Sequence, residues 1–249
     1  MIICGLNKTT LLDYPGLVAA TVFLGGCNFR CPFCHNKELV LNPSSCQTHT
    51  EEEVLSHLQK RKGILQGVCI TGGEPTLQKD LPDFIRSCKE LGYKVKLDTN
   101  GTNPGMMKSL YREGLIDYVA MDIKSCPGEY PLVAGLTESA WRQKDAKSPD
   151  AGPDLSERIK ESVSFLIRET GGDFDYEFRT TVVKELHTRA SFEKIAEWIK
   201  GANHYYLQSY EESEGVICPG FSAYEPEQME EFADLVKGSV KDVSLRGIG

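Results

Sequence analysis

The 249-residue sequence has no hydrophobic run long enough to cross a membrane. Its longest apolar stretch, Leu17 to Leu24, is broken by Thr21 and falls far short of the roughly 20 residues that a spanning helix needs. The start, Met1-Ile2-Ile3-Cys4-Gly5-Leu6-Asn7-Lys8, shows no charged leader, apolar core or cleavage site, so a signal peptide is not expected and a cytoplasmic location is. Long basic runs are missing too. A net charge of −8, from 28 basic and 36 acidic side chains, argues against a nucleic-acid partner, because such binding rests on clustered Lys and Arg. Collagen-like, coiled-coil and disordered compositions are absent: 40% of residues are apolar, 26% are charged, and Gly and Pro number 23 and 12. One globular domain over residues 1–249 is the expectation.

Cysteine, by contrast, is plentiful. There are nine, an odd number that cannot all pair within the chain. A compact body of this length buries roughly three quarters of the surface its unfolded chain exposes, so it needs no staples. Metal binding or catalysis is therefore the better reading than a disulfide framework.

Strand-like and helix-like segments alternate along the chain. Leu17–Leu24, Val68–Thr71, Tyr93–Leu97, Asp117–Ile123, Tyr176–Val183 and Tyr205–Gln208 read as strands, several of them stopped by Gly or Asn-Gly. Helices are expected from about Thr50 to Lys62 with a capping box, at residues 80–91, and over Pro104–Glu113, Leu155–Glu169 and Phe192–Lys200. A last helix near Pro226–Lys237 reads as a C-terminal extension beyond a core of about residues 17–210. Six strands alternating with helices predict an α/β fold with parallel pairing. Residues 124–153, rich in Lys, Pro, Gly, Ser and Asp, read as a long loop.

The segment that carries chemistry is Gly25-Gly26-Cys27-Asn28-Phe29-Arg30-Cys31-Pro32-Phe33-Cys34-His35-Asn36, a C-x3-C-x2-C array just after the first strand. Thiolates select iron–sulfur clusters, zinc or Cu(I), and the carboxyl end of a parallel sheet is where barrel enzymes keep their chemistry. Three thiolates would leave one iron of a four-iron cluster open. A structural zinc site with His35 as fourth ligand is the alternative, although adjacent Cys34 and His35 chelate one tetrahedral ion awkwardly.

This array resembles the signature of the radical S-adenosylmethionine superfamily, including the aromatic Phe33 before its third cysteine. The resemblance implies a partial (β/α)6 barrel, one [4Fe–4S] cluster held by Cys27, Cys31 and Cys34, and S-adenosylmethionine on the open iron. Reductive cleavage of the sulfonium would then yield a 5′-deoxyadenosyl radical. His35, next to the last cysteine, is counted among the expected cofactor contacts with Phe33. Gly72-Gly73-Glu74-Pro75, otherwise readable as a glycine turn, is similar to the motif that holds the methionine amino group in that superfamily. Asp98-Thr99-Asn100-Gly101 ends the third strand, as a hairpin turn or as a strand-to-helix loop; the helix expected after Pro104 favours the loop. Met121-Asp122-Ile123-Lys124 ends the fourth, with Asp122 and Lys124 on one face.

Asp98, Thr99, Asp122 and Lys124 resemble positions that glycyl-radical-enzyme activases place around the methionine moiety, with a monovalent cation near Asp98 and Asp122. Arg179, on the fifth strand, matches a cofactor neighbour in those enzymes. The sixth strand lacks the His that related activases carry.

Thr9-Thr10-Leu11-Leu12-Asp13-Tyr14-Pro15-Gly16, with the cysteine segment and Tyr176–Val183, looks like the anaerobic ribonucleoside-triphosphate reductase activating proteins. The implied reaction is hydrogen abstraction from a glycine Cα of a partner enzyme, with a flavodoxin- or ferredoxin-type electron donor. Activation of pyruvate formate-lyase or another glycyl radical enzyme is the neighbouring reading, and radical chemistry on a small molecule a further one. The segments expected to frame the mouth of the barrel are the loop from Ser125 to Pro153 and the Asp13–Gly16 turn. Cys4, Cys46, Cys69, Cys88, Cys126 and Cys218 have no cluster spacing.

Overall fold

A computed structural model describes residues 1–137 and 154–248. Eight strands form one sheet whose spatial order is the chain order: β1 (Ile3–Thr10), β2 (Ala19–Leu24), β3 (Gly67–Gly72), β4 (Lys94–Thr99), β5 (Tyr118–Asp122), β6 (Asp175–Val182), β7 (His204–Ser209) and β8 (Asp242–Arg246). β1 runs antiparallel to β2; every later neighbour is parallel. The sheet is open, with β1 and β8 at its edges, as a partial barrel requires.

Six of these strands match the sequence reading, and two correct it. β1 and β8 carry Gly, Asn, Lys, Asp, Ser and Arg and are only partly buried, so neither shows the apolar run of a central strand. The helix Pro226–Val236 is not an appended extension: it is the crossover from β7 to β8. The region expected to be one long loop after β5 contains a short helix, Tyr130–Val133. Residues 138–153 of that loop lie outside the described residues.

The sheet has one apolar and one polar face, set by the two-residue period of its strands. Val95 and Leu97, Val119 and Met121, Tyr176 and Phe178, and Tyr205 and Leu207 point outward into the main core, against helices such as Leu81–Glu90 and Leu155–Glu169. The intervening residues Lys96, Asp98, Tyr118, Asp122, Glu177 and Arg179 meet one another on the inner face. Helix starts follow local chemistry. Thr50 caps Glu51–Lys60 in a reciprocal capping box with Glu53, and Asn103 accepts from the Met106 amide ahead of Pro104–Arg112. That helix settles the Asp98–Gly101 segment as a strand-to-helix loop. Among the described residues no helix is long and apolar enough to cross a membrane.

The β1–β2 antiparallel pair decides where the Asp13–Gly16 turn lies. Its hairpin connection enters β2 at the amino end, whereas the cysteine loop leaves β2 at the carboxyl end. Tyr14 is buried there, its ring centroid 6.0 Å from that of Tyr118. The expectation that this turn frames the functional mouth is therefore overturned: it closes the opposite end of the barrel.

Candidate active site

Strand β2 delivers the cysteine loop through Gly25-Gly26, and β3 ends beside it in Gly72-Gly73. The Gly73 amide donates to the Leu24 carbonyl (2.8 Å) and the Glu74 amide to the Gly26 carbonyl (2.7 Å). No side chain fits between these backbones. A Cβ on Gly73 would stand 2.0 Å from the Gly26 oxygen, and one on Gly72, where φ is +122°, 2.2 Å from the Leu24 oxygen. Gly73→Ala is accordingly expected to push Gly26 and Cys27 out of place. Iron bound per chain after anaerobic reconstitution should fall by more than half. Gly128→Ala, whose added Cβ would meet nothing within 4 Å, should leave it unchanged.

The three thiols of the array are free and line one cleft of about 270 Å³. Cys31 is buried; Cys27 and Cys34 are partly so. The loop is held from several sides. Arg30 donates its amide to Ala134 (2.9 Å), while the amides of Ile217 and Cys218 reach Cys34 (3.1 Å) and Pro32 (2.8 Å). Asn100 donates to the Asn28 side chain (2.8 Å), which in turn donates to Thr102 (2.9 Å). Burial pushes the Cys27 thiol up to about 11 and Cys31 up to about 12, so both need a bound cation to ionise near neutrality.

Phe33 is buried in the wall of the cleft beneath this loop. His35 also lines the cleft, but its ring stacks on Tyr210, with centroids 5.7 Å apart, and its Nε2 meets the Glu211 carbonyl. That engagement argues against the zinc reading with His35 as fourth ligand. Three thiols spread along one cleft suit a polynuclear cluster, in which each takes a separate iron.

The opposite wall is a ladder of alternating charge from the inner faces of β4, β5 and β6. Arg179 bridges the two carboxylates: Nη1 lies 3.2 Å from Asp98 Oδ2, and Nε donates to Asp122 Oδ1 at 3.0 Å. Lys124 donates to Asp122 Oδ2 (2.9 Å), and Lys96 to Asp98 Oδ1. Burial alone would raise both carboxyls, but Arg179 with Lys124 holds Asp122 at about 2, and Arg179 with Lys96 holds Asp98 below the usual carboxylate range. Asp98, Thr99, Asp122, Lys124 and Arg179 all line the cleft, as do Gly72 and Gly73.

Glu74 does not. It is fully buried behind the glycine pair, where its carboxylate accepts from the Asn100 amide (2.7 Å), the Thr99 hydroxyl (2.7 Å), and the amide and hydroxyl of Thr76. Burial pushes its carboxyl up, against the pull of these donors. Its place is in fixing the β3 and β4 loops to each other. The donor set does not suit the expected monovalent cation either. Each of the four oxygens of Asp98 and Asp122 already faces an ammonium or guanidinium group, which would repel a further cation.

Sequence reading missed Asn36, Asn100, Thr181 and Gln208, which also line the cleft. Asn36 donates to the Gly72 carbonyl (3.2 Å). Thr181 and Gln208 stand at the carboxyl ends of β6 and β7, the one signal that could have found them. Of the cysteines outside the array, Cys69, Cys88 and Cys126 are buried and free and Cys218 is exposed and free, while Cys4 and Cys46, whose role the sequence spacing left open, are joined by a disulfide.

A cysteine loop at the carboxyl end of an open parallel barrel, facing a charged wall, defines a class, and comparison with known proteins agrees. The sequence profile of the Radical SAM superfamily matches residues 21–145. A Methanocaldococcus jannaschii protein named "Putative glycyl-radical enzyme activating enzyme" is 31% identical over 211 residues, 84% of this chain and 80% of that one. The pyruvate formate-lyase-activating enzyme of Clostridium pasteurianum is 35% identical over 131 residues, half of this chain and 53% of that protein. In fold, Streptococcus suis SuiB bound to S-adenosylmethionine superposes with a TM-score of 0.63 at 14% identity, covering 91% of this chain and 52% of SuiB. The chain belongs to the radical SAM superfamily, in its glycyl-radical-enzyme activating group. It spans most of the first of these relatives and about half of the other two.

Proposed function

We propose that the chain installs a glycyl radical on a partner enzyme, most directly an anaerobic ribonucleoside-triphosphate reductase. The observation that carries this reading is the juxtaposition of three free thiols and a wall of paired charges across one cleft. Cys27, Cys31 and Cys34 would hold a [4Fe–4S] cluster, and the opposite wall would hold S-adenosylmethionine. Bound together, the two supply reductive cleavage of a sulfonium and a 5′-deoxyadenosyl radical that abstracts hydrogen from a glycine Cα.

The work of this chain's own residues is binding, orientation and exclusion of water. Gly72 and Gly73 offer backbone without side chains, so a ligand's ammonium group can approach closely, with Glu74 keeping the two loops in register behind them. Lys124 and Arg179 offer positive charge to a ligand carboxylate while staying fixed by Asp122 and Asp98. Phe33 lines the apolar side. Proton transfer by a side chain is not required. A flavodoxin- or ferredoxin-type donor and a cytoplasmic setting belong to the same proposal. The loop that begins at Ser125 is the proposed place for the partner's glycine loop to enter, because loops on such scaffolds carry recognition.

The test is direct. The reconstituted protein, reduced by a chemical one-electron donor or a flavodoxin-type donor and mixed with S-adenosylmethionine and the candidate partner, should give a glycyl radical signal by electron paramagnetic resonance on the reductase, with one deoxyadenosine released per radical. A signal on pyruvate formate-lyase but none on the reductase moves the assignment to the neighbouring activase. Consumption of a small metabolite with no radical on any partner ends the activase reading.

A further inference from the structure

We propose that Lys96 is the built-in cation of the active-site wall, and that it lets the chain bind S-adenosylmethionine without a monovalent metal ion. The inference rests on the cofactor reading above and goes beyond it, because it assigns a role to a residue outside the set expected from sequence. Lys96 lies on the inner face of β4, two residues before Asp98, and is only 2% exposed. A lysine buried to that degree is rare unless paired. Its ammonium donates to Asp98 Oδ1 and lies 3.7 Å from the Cys69 sulfur, which offers no negative charge while that buried thiol stays protonated.

Asp98 Oδ2, in turn, faces Arg179 at 3.2 Å. Asp122 is shared between Arg179 and Lys124. Three cations thus face two carboxylates, leaving one net positive charge. Glu177 does not cancel it, because Arg246 meets both of its oxygens at 3.1 Å. A hard metal ion at Asp98 would need that carboxylate's oxygens and would meet Lys96 and Arg179 at close range. With Lys96 in place, Asp98 is fixed and charge-compensated from below, and the excess charge is free to meet a ligand carboxylate. Lys96 is a positioning residue: it does not line the cleft and acts through Asp98 and Arg179.

The experiment compares potassium, sodium and choline chloride at one ionic strength, using anaerobically reconstituted protein. Two quantities are read: S-adenosylmethionine affinity by titration calorimetry, and the melting temperature of the protein without S-adenosylmethionine. Wild-type affinity should agree within about twofold in all three salts. Lys96→Met should lose about tenfold in choline, the size of one charge-assisted hydrogen bond, and recover in potassium or sodium. Its melting temperature should likewise rise with the metal ions, while that of the wild type does not. A merely structural lysine would give a variant weakened equally in every salt, and that result overturns the proposal. So does a wild type whose affinity or melting temperature falls in choline, a comparison that stands even if Lys96→Met does not fold. If no salt supports S-adenosylmethionine binding, the cofactor reading fails, and the melting series alone still decides whether Lys96 replaces a metal ion.

Discussion

Replacing Cys31 by Ala is expected to leave a folded protein that retains no iron–sulfur cluster. The thiol is buried in the loop wall and its removal deletes a single sulfur, so the metal-free variant should melt within a few degrees of metal-free wild type. Iron and sulfide per chain should fall to background, and with them reductive release of deoxyadenosine, by about a thousandfold or more, since no other group in the site supplies that electron transfer. Cys69→Ala, Cys88→Ala and Cys126→Ala, which alter buried thiols outside the cleft, should keep their iron. The pH dependence follows from burial. Cys27 and Cys31 are protonated thiols at neutrality, with values near 11 and 12, so loading the metal displaces protons and should weaken as pH falls. A variant lacking Cys31 that still binds a full complement of iron would remove this residue from the metal site.

Arg179→Met is expected to have the largest effect on stability. Among the described residues its guanidinium is the one group that touches both Asp98 and Asp122, and without it two partly buried carboxylates lose a shared partner while keeping Lys96 and Lys124. The loss should be about 2–4 kcal/mol at neutral pH, somewhat under the usual cost of breaking a fully buried pair because the site opens to the cleft. In the wild type both carboxyls are depressed, Asp122 to about 2. Their stabilising contribution is therefore complete above the unfolded-state range near 4 and is lost as pH falls toward 2. Removing Arg179 removes much of that contribution. The gap between variant and wild type should be widest above about pH 5 and should narrow on acidification as both side chains protonate. Urea unfolding at a series of pH values measures it, and a gap independent of pH would mean that Arg179 stabilises by packing rather than by charge.

The sequence by itself determined the cysteine loop, because C-x3-C-x2-C is a local spacing whose chemistry needs no distant partner. It also determined that Gly72-Gly73, Asp98 and Asp122 meet at one end of the sheet, since parallel strands joined by helices bring all their carboxyl ends to one side. β1 and β8 were not legible: edge strands are half exposed and carry no apolar run, and only pairing with β2 and β7 makes them strands. The position of the Asp13–Gly16 turn was decided by the antiparallel sense of β1, which no local pattern encodes. Nor could the sequence separate Glu74 from the residues that line the cleft, because a carboxylate after two glycines reads the same whether it faces a ligand or four hydrogen-bond donors. Which charges pair across the barrel was likewise a tertiary matter. Lys96 shares a strand face with Asp98 two residues on, but Arg179 stands 81 positions from Asp98 along the chain, and only the register of β4, β5 and β6 brings it there. Local chemistry fixes what a loop can bind, whereas the closeness of distant charges depends on how the strands are registered.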